Sequence, residues 1–350
     1  MAAWLAPRLG ADATPSVLGL DVPDTAGFSS ETLLLDLAWT AGGDPRTGSY
    51  VVRLPPAGDA FPLFPRYDLA RQVAAMRFVR ERTRVPVPAV PWFEPEPVAV
   101  GAPFFVMARV DGAAVPDMPP YVMGSWLSEA RVGDQGRVAA GMVGVLAGIH
   151  GAARAGDDLA FLELAQPGRT PLERHVANQR AYYDWIRGDR TFPLVDRAFA
   201  WLETNWPARE GPAVVSWGDA RPANVLWRDF EPVAVLDWEA VATGPRELDL
   251  GWLVFFHEYF QRIGERYGHR GMPDFLRRSD VVADYERRTG HTVTDFDWYL
   301  VYAELRQALT SIRVSARQVH FGERPAPDDP EDLILERDHL AAVIGGTSEQ

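Results

Sequence analysis

Three oxygen-bearing side chains stand where they could handle a phosphate and its metal. The run VSWGDARPANVLW, Val215 to Trp227, places Asp219, Arg221 and Asn224 between two apolar flanks, and Asp237 closes the next apolar run in AVLDWE. In phosphoryl transfer one carboxylate orients or deprotonates the attacking hydroxyl, while an amide oxygen and a second carboxylate hold Mg²⁺ against nucleotide phosphates. Taken alone, Asp219 or Asn224 reads as no more than a turn cap, a common use of these residues. It is the pair of motifs in this order that points to chemistry.

Several other chemistries are closed. The chain has no cysteine, which removes disulfides, thiolate catalysis and cysteine-ligated metal centres. It has no lysine, so all 35 Lys+Arg residues are arginine. A Walker A loop and Schiff-base chemistry both need that amine. HEYFQ begins like a zinc-protease helix but has Gln261 where the second histidine must be, and GFSSE has Glu31 where a nucleophile elbow needs glycine.

The totals are those of a globular protein: 350 residues, 47% hydrophobic and 24% charged. A formal charge of -13 argues against nucleic acid or an anionic membrane as partner, since either calls for a basic face. MAAWLAPRLG lacks a basic region followed by a long apolar stretch, and no later apolar run approaches a membrane span. The expectation is a soluble cytoplasmic protein.

The elements that must position these side chains fall into two groups. SVLGL, TLLLDLAWT, SYVVRL and APFFVMARV read as strands separated by Gly, Pro and Asp. One helix interrupts them, with Leu69, Val73, Met76 and Val79 at helical spacing. After VDGAAVPDMPP the period becomes helical, in GRVAAGMVGVLAGIHGAA, PLERHVANQRAYYDWIRG, PLVDRAFAWLETNW, RELDLGWLVFFHEYFQRIGERYG and DFDWYLVYAELRQALTSIRVSARQV. The strand-like exception is the stretch carrying Asp219 to Asp237, two apolar runs joined through RDFEP.

With SWGDARPAN as catalytic loop, LDWE as metal-binding segment, GFSSET as phosphate loop and GPRELDLGWL behind the site, the chain resembles the aminoglycoside phosphotransferase family. The resemblance lies within the protein-kinase-like fold, particularly in the branch related to the kinase domain of acyl-CoA dehydrogenase family member 10. The Asp219 to Asn224 spacing is that of a protein-kinase catalytic loop. The resemblance implies an α+β, bilobal protein-kinase-like fold: an N-terminal antiparallel sheet lobe with one main helix, residues 1–108, and a larger, mainly helical C-terminal lobe, residues 109–350.

It also implies roles. Asp219 would be the base, and Asn224 and Asp237 the Mg²⁺ ligands. Arg221 stands at the loop lysine of Ser/Thr kinases, where it would touch the transferred phosphoryl group; a plain salt bridge to a neighbouring acid is the alternative. Trp217 occupies the usual histidine position, which implies altered packing around a retained loop. Gly27, Ser29 and Ser30 would offer donors to the phosphates, or form an ordinary turn. Arg53 stands at the strand lysine that touches the phosphates, with Gln72 in place of its usual Glu partner. Met107 to Arg109 would offer backbone groups to adenine. His150 reads as a core or loop-anchoring residue.

The activity implied is Mg²⁺- and ATP-dependent phosphorylation of a hydroxylated small molecule, with GTP also admissible as donor. A nucleotide-binding pseudokinase is the alternative, and a protein kinase ranks below both because no activation segment ending like APE follows LDWE. Aromatic residues near Glu258 and Glu304 suit a cationic acceptor, although most of them should build the core.

Overall fold

In a computed structural model the described residues are 1–10, 13–22, 30–56 and 61–346. They form two compact units, Met1–Arg82 with Pro86–Asp111, and Thr83–Val85 with Gly112–Gln350. Among the described residues no helix is long and apolar enough to cross a membrane.

The first unit holds α1 (Ala2–Leu9), β1 (Ser16–Asp21), β2 (Glu31–Ala41), β3 (Asp44–Leu54), α2 (Leu69–Arg82), β4 (Trp92–Glu94) and β5 (Phe104–Ala108). The strands make one antiparallel sheet in the order β1-β2-β3-β5-β4. Alternation decides which face is buried: Leu35 and Leu37 of β2, Val52 and Leu54 of β3, and Phe104 and Val106 of β5 form one core with Leu5 of α1. Helix α2 buries Leu69, Val73, Met76 and Val79, the apolar stripe expected from the sequence. Helix α1 and strand β4 were not expected.

The second unit contains β6 (Ala113–Ala114), α3 (Val132–His150), α4 (Pro171–Arg187), α5 (Pro193–Thr204), β7 (Val214–Ser216), β8 (Val225–Arg228), β9 (Glu231–Val235), β10 (Ala242–Gly244), α6 (Glu247–Arg266), α7 (Arg278–Thr289), α8 (Phe296–His320) and α9 (Arg337–Gly346). Two small antiparallel sheets lie among the helices, β10-β7 and β6-β8-β9. The β8–β9 hairpin turns through Asp229 and Phe230, both at positive φ (51° and 63°), the backbone sign of a tight hairpin whose twist matches its strands. Arg137 donates to the Asp229 carbonyl at 2.7 Å and lies over the Phe230 ring, so the tip is fastened to α3.

Candidate active site

The loop from β7 to β8 and the end of β9 meet because of hairpin register. Val225 pairs with Val235, and the Leu236 amide donates to the Asn224 carbonyl at 2.8 Å. Asn224, at the end of a short 3-10 turn starting at Pro222, therefore lies across from the residue preceding Asp237. Trp217 ties the same two segments: its indole N–H donates to the carbonyls of Leu236 and Asp237 at 3.0 and 3.1 Å. A fully buried tryptophan thus does positioning work at the position where the resemblance has histidine.

Asp219 gathers donors. Its Oδ1 accepts from Trp252 Nε1 at 2.7 Å, and its Oδ2 from Asn224 Nδ2 at 2.6 Å. Arg221 Nε spans both oxygens at 3.1 and 3.0 Å. The same guanidinium donates through Nη1 to Asp117 and stands over the Phe256 ring at 5.0 Å. Desolvation works against the Arg221 charge, but Asp219, Asp117 and Asp237 outweigh it and raise its pKa above the ordinary arginine value. Asp117 is held above the usual carboxylate range by burial, which together with Asp219 and Asp237 overcomes the opposing pull of Arg221.

The loop is braced from beneath by a residue with no expected role. Asp249, in the first turn of α6 and fully buried, accepts from the Trp217 and Gly218 amides at 2.7 Å each, from Ser216 Oγ at 3.0 Å and from His150 Nε2 at 2.9 Å. Burial acts to raise its pKa, yet the bonds from His150, Gly218 and Trp217 prevail and lower it. His150 also meets the Tyr285 hydroxyl at 2.6 Å, so it is the loop-anchoring histidine the sequence suggested. Gly218 has φ +86°, and a Cβ there would lie 2.3 Å from the Ala240 carbonyl oxygen. Only glycine fits that corner.

The structure thus brings Asp219, Arg221 and Asn224 together and sets Asp237 at the end of the adjoining strand. Arg221 commits Nε and Nη1 to two carboxylates, those of Asp219 and Asp117 that flank it. Asp117, Asp249 and Trp252 were missed. The last two share RELDLGWL at helical i,i+3 spacing, a signal that was available; Asp117 had none, since its partner lies far along the chain.

In the first unit, Arg53 Nη1 donates to Thr32 Oγ1 at 3.1 Å, directly across the β2–β3 ladder. Ser30 is buried. Gly27 and Ser29 lie outside the described residues. Gln72 is buried in α2 with its Nε2 lacking a hydrogen-bond partner. Met107 is buried in β5, the Ala108 amide donates to the Ala89 carbonyl at 2.8 Å and the Arg109 amide to the Ser49 carbonyl at 3.1 Å. Of the backbone groups expected to face adenine, the Ala108 and Arg109 amides are therefore used within the unit. The aromatic residues of α6, Trp252 to Phe260, are no more than 8% exposed, so they build the core as their pattern suggested. Glu304 pairs with His339 at 3.0 Å, and burial raises the Glu258 pKa.

A sheet unit followed by a helical unit carrying this loop and hairpin defines a protein of the protein-kinase-like fold. A candidate aminoglycoside phosphotransferase from Ralstonia eutropha has a similar structure, with TM-score 0.65 and 20% identity, covering 98% of this chain and 94% of that one. A thermostable mutant of the aminoglycoside phosphotransferase APH(4)-Ia, in ternary complex with AMP-PNP and hygromycin B, matches at TM-score 0.56 and 16% identity over 100% and 99% of the two chains. Residues 25–288 match the model of the phosphotransferase enzyme family, and the chain belongs to that family. Acyl-CoA dehydrogenase family member 11 of Gallus gallus is 25% identical over 281 residues, 77% of this chain. The chain spans about a third of the length of the curated relatives it matches, 34% and 31% for two of them.

Proposed function

We propose that the chain transfers the γ-phosphoryl group of ATP to a hydroxyl of a small molecule. The observation that carries this reading is the convergence of Asp219, Asn224 and the end of β9 through the Leu236 to Asn224 bond and the Trp217 clasp. Asp219 receives the hydrogen of the attacking hydroxyl, while Trp252 and Asn224 fix the direction of its carboxylate. Asp249 keeps the loop backbone in place beneath it.

The donor set suits magnesium. Asn224 spends its amide nitrogen on Asp219, so its oxygen is the atom left to coordinate, and Asp237 adds a carboxylate; both are hard oxygen donors. Among the described residues no three His, Cys, Asp or Glu side chains gather as a metal cage. Mg²⁺ does not need one, because it is usually held by one or two carboxylates together with water and substrate phosphates. When bound, the ion would neutralise phosphate charge and orient the nucleotide.

For the nucleotide we assign Ser30 and Arg53, with Gly27 and Ser29, to the phosphates. The Met107–Arg109 segment is assigned to the base, chiefly through carbonyls, given the amides already used. GTP would meet the same phosphate contacts. Arg221, paired with Asp219 and Asp117 before the acceptor docks, is assigned to the transferred phosphoryl group. ATP dependence and the absence of cysteine suit a cytoplasmic setting. The bound hygromycin B of the structural neighbour supports a hydroxylated small molecule as the acceptor class.

A second reading, nucleotide binding without turnover, is favoured by the buried Gln72 where an acid would pair with Arg53. ADP formation from Mg-ATP across a panel of small alcohols separates the two. Turnover that rises with an acceptor and vanishes in Asp219→Ala supports the transferase. ATP binding with no ADP formed by the wild type on any acceptor would establish the second reading.

A further inference from the structure

Asp219 is already saturated. A carboxylate offers about four lone-pair sites. Those of Asp219 take Trp252 Nε1, Asn224 Nδ2 and both arms of the Arg221 Nε contact. An acceptor hydroxyl that gives its hydrogen to Asp219 must displace one of them. Trp252 is buried in α6, and Asn224 Nδ2 also reaches the Asp219 carbonyl at 3.0 Å within a turn closed by backbone bonds. Arg221 is the movable partner. Its single Nε–H is divided between two oxygens, each bond weaker for the sharing, and its side chain has a second anchor in Asp117.

Asp117 has an acceptor oxygen left for it. One oxygen, Oδ2, takes Arg221 Nη1, whereas Oδ1 is buried with no hydrogen-bond partner. A carboxylate with one oxygen satisfied and one orphaned is half of a bidentate arginine pair. The wall beside it is held in place: Tyr121, buried a few residues on, donates to His257 Nδ1 at 2.7 Å, and His257 Nε2 donates to the Met272 carbonyl at 3.1 Å.

We propose that Asp117 is a positioning residue of the phosphoryl-transfer site: it takes Arg221 as a two-point ion pair when the acceptor hydroxyl docks, and so frees an oxygen of Asp219 for the hydroxyl hydrogen. In the step that follows, the acceptor oxygen bonds to the γ-phosphorus and the bond from that phosphorus to the bridging oxygen breaks. The electron pair leaves with ADP, and the hydroxyl proton passes to Asp219. The inference rests on the proposed role of Asp219 as base.

The test measures ADP formation from Mg-ATP with the fastest acceptor of the alcohol panel, for Asp117→Asn, Arg221→Met and the double variant. With Asp117→Asn the guanidinium stays on Asp219, so kcat falls about tenfold or more while KM for ATP holds within about twofold. Removing the arginine removes the obstruction, so the double variant turns over like Arg221→Met alone. A kcat within twofold of wild type for Asp117→Asn overturns the inference, and so does an equal drop in both backgrounds, the mark of a structural role. Asp219→Asn separates the two claims. Turnover retained in that variant, or absent in the wild type, overturns the base reading and this inference with it; turnover lost there with Asp117→Asn unaffected overturns the inference alone.

Discussion

The indole N–H of Trp252 donates to Asp219 Oδ1 at 2.7 Å, joining the first turns of α6 to the proposed catalytic loop. Trp252 also supports the Arg306 guanidinium, 4.2 Å above its ring, and Arg306 donates to the Gly218 carbonyl at 2.9 Å. One side chain therefore steadies both the carboxylate and the backbone that carries it. Trp252→Phe keeps an aromatic platform and removes the donor. A hydrogen bond to a charged group contributes about 1.5–3 kcal/mol, so kcat should fall roughly tenfold or more, with KM for ATP little changed. Steady-state ADP formation checks this; unchanged kcat would remove Trp252 from the site's positioning groups.

Gly218→Ala should act on stability before it acts on rate. The substitution places a Cβ 2.3 Å from the Ala240 carbonyl oxygen at φ +86°. Left-handed backbone costs a non-glycine residue about 1–3 kcal/mol before any clash is counted. Asp249 holds the adjacent amides, so the loop has little freedom to relax. Urea denaturation should show a loss of at least about 2 kcal/mol. A variant with the wild-type midpoint would mean that the corner opens at no cost.

How much of this site was legible depends on whether a side chain's partner is local. The β8–β9 hairpin was readable because two apolar runs flank RDFEP, and the register between those runs is what brings Asn224 beside Leu236. Asp249 stands in RELDLGWL with no role that sequence alone announces, since an acid in the first turn of a helix is common for dipole reasons alone. Only tertiary structure shows that it points at Trp217 and Gly218. Asp117 meets Arg221 across 104 residues of sequence, and no periodic pattern announces such a pair. Helix α1 was hidden by the proline inside it, and α7 buries little beyond Val281 and Tyr285, so its apolar stripe is faint. Strand β4 is three residues long within a proline-rich stretch.

Two buried histidines give stability a defined pH dependence. His257 and His175 are each pushed down to about 4, by burial first, against the bonds to the Met272 and Thr243 carbonyls. The unfolded chain takes up these protons near pH ~6.5, the folded one only near 4. Between those values the unfolded state binds more protons, so stability falls as pH is lowered through the window and levels off below it. Each histidine contributes at most about 3 kcal/mol. Urea midpoints at pH 7, 6 and 5 should decline steadily, and less steeply in His257→Gln. Midpoints independent of pH over that range would place the imidazoles in contact with water.

Asp237 permits the most direct test of the proposed ion site, because its backbone and its carboxylate can be examined separately. Its φ of +57° is a left-handed conformation that aspartate tolerates better than most residues, and its carbonyl accepts from Trp217, so the strand end is held whatever the side chain does. Asp237→Asn keeps the size and the backbone preference, and removes a negative charge. If the carboxylate holds Mg²⁺, ADP formation should fall at least about a hundredfold. The nucleotide should still bind in EDTA with wild-type affinity, but should no longer bind more tightly when Mg²⁺ is added. Isothermal titration with AMP-PNP, with and without Mg²⁺, reads both quantities on the same sample. A variant whose affinity still responds to Mg²⁺ like the wild type would mean that other groups hold the ion, and the assignment of Asp237 and Asn224 would have to be given up.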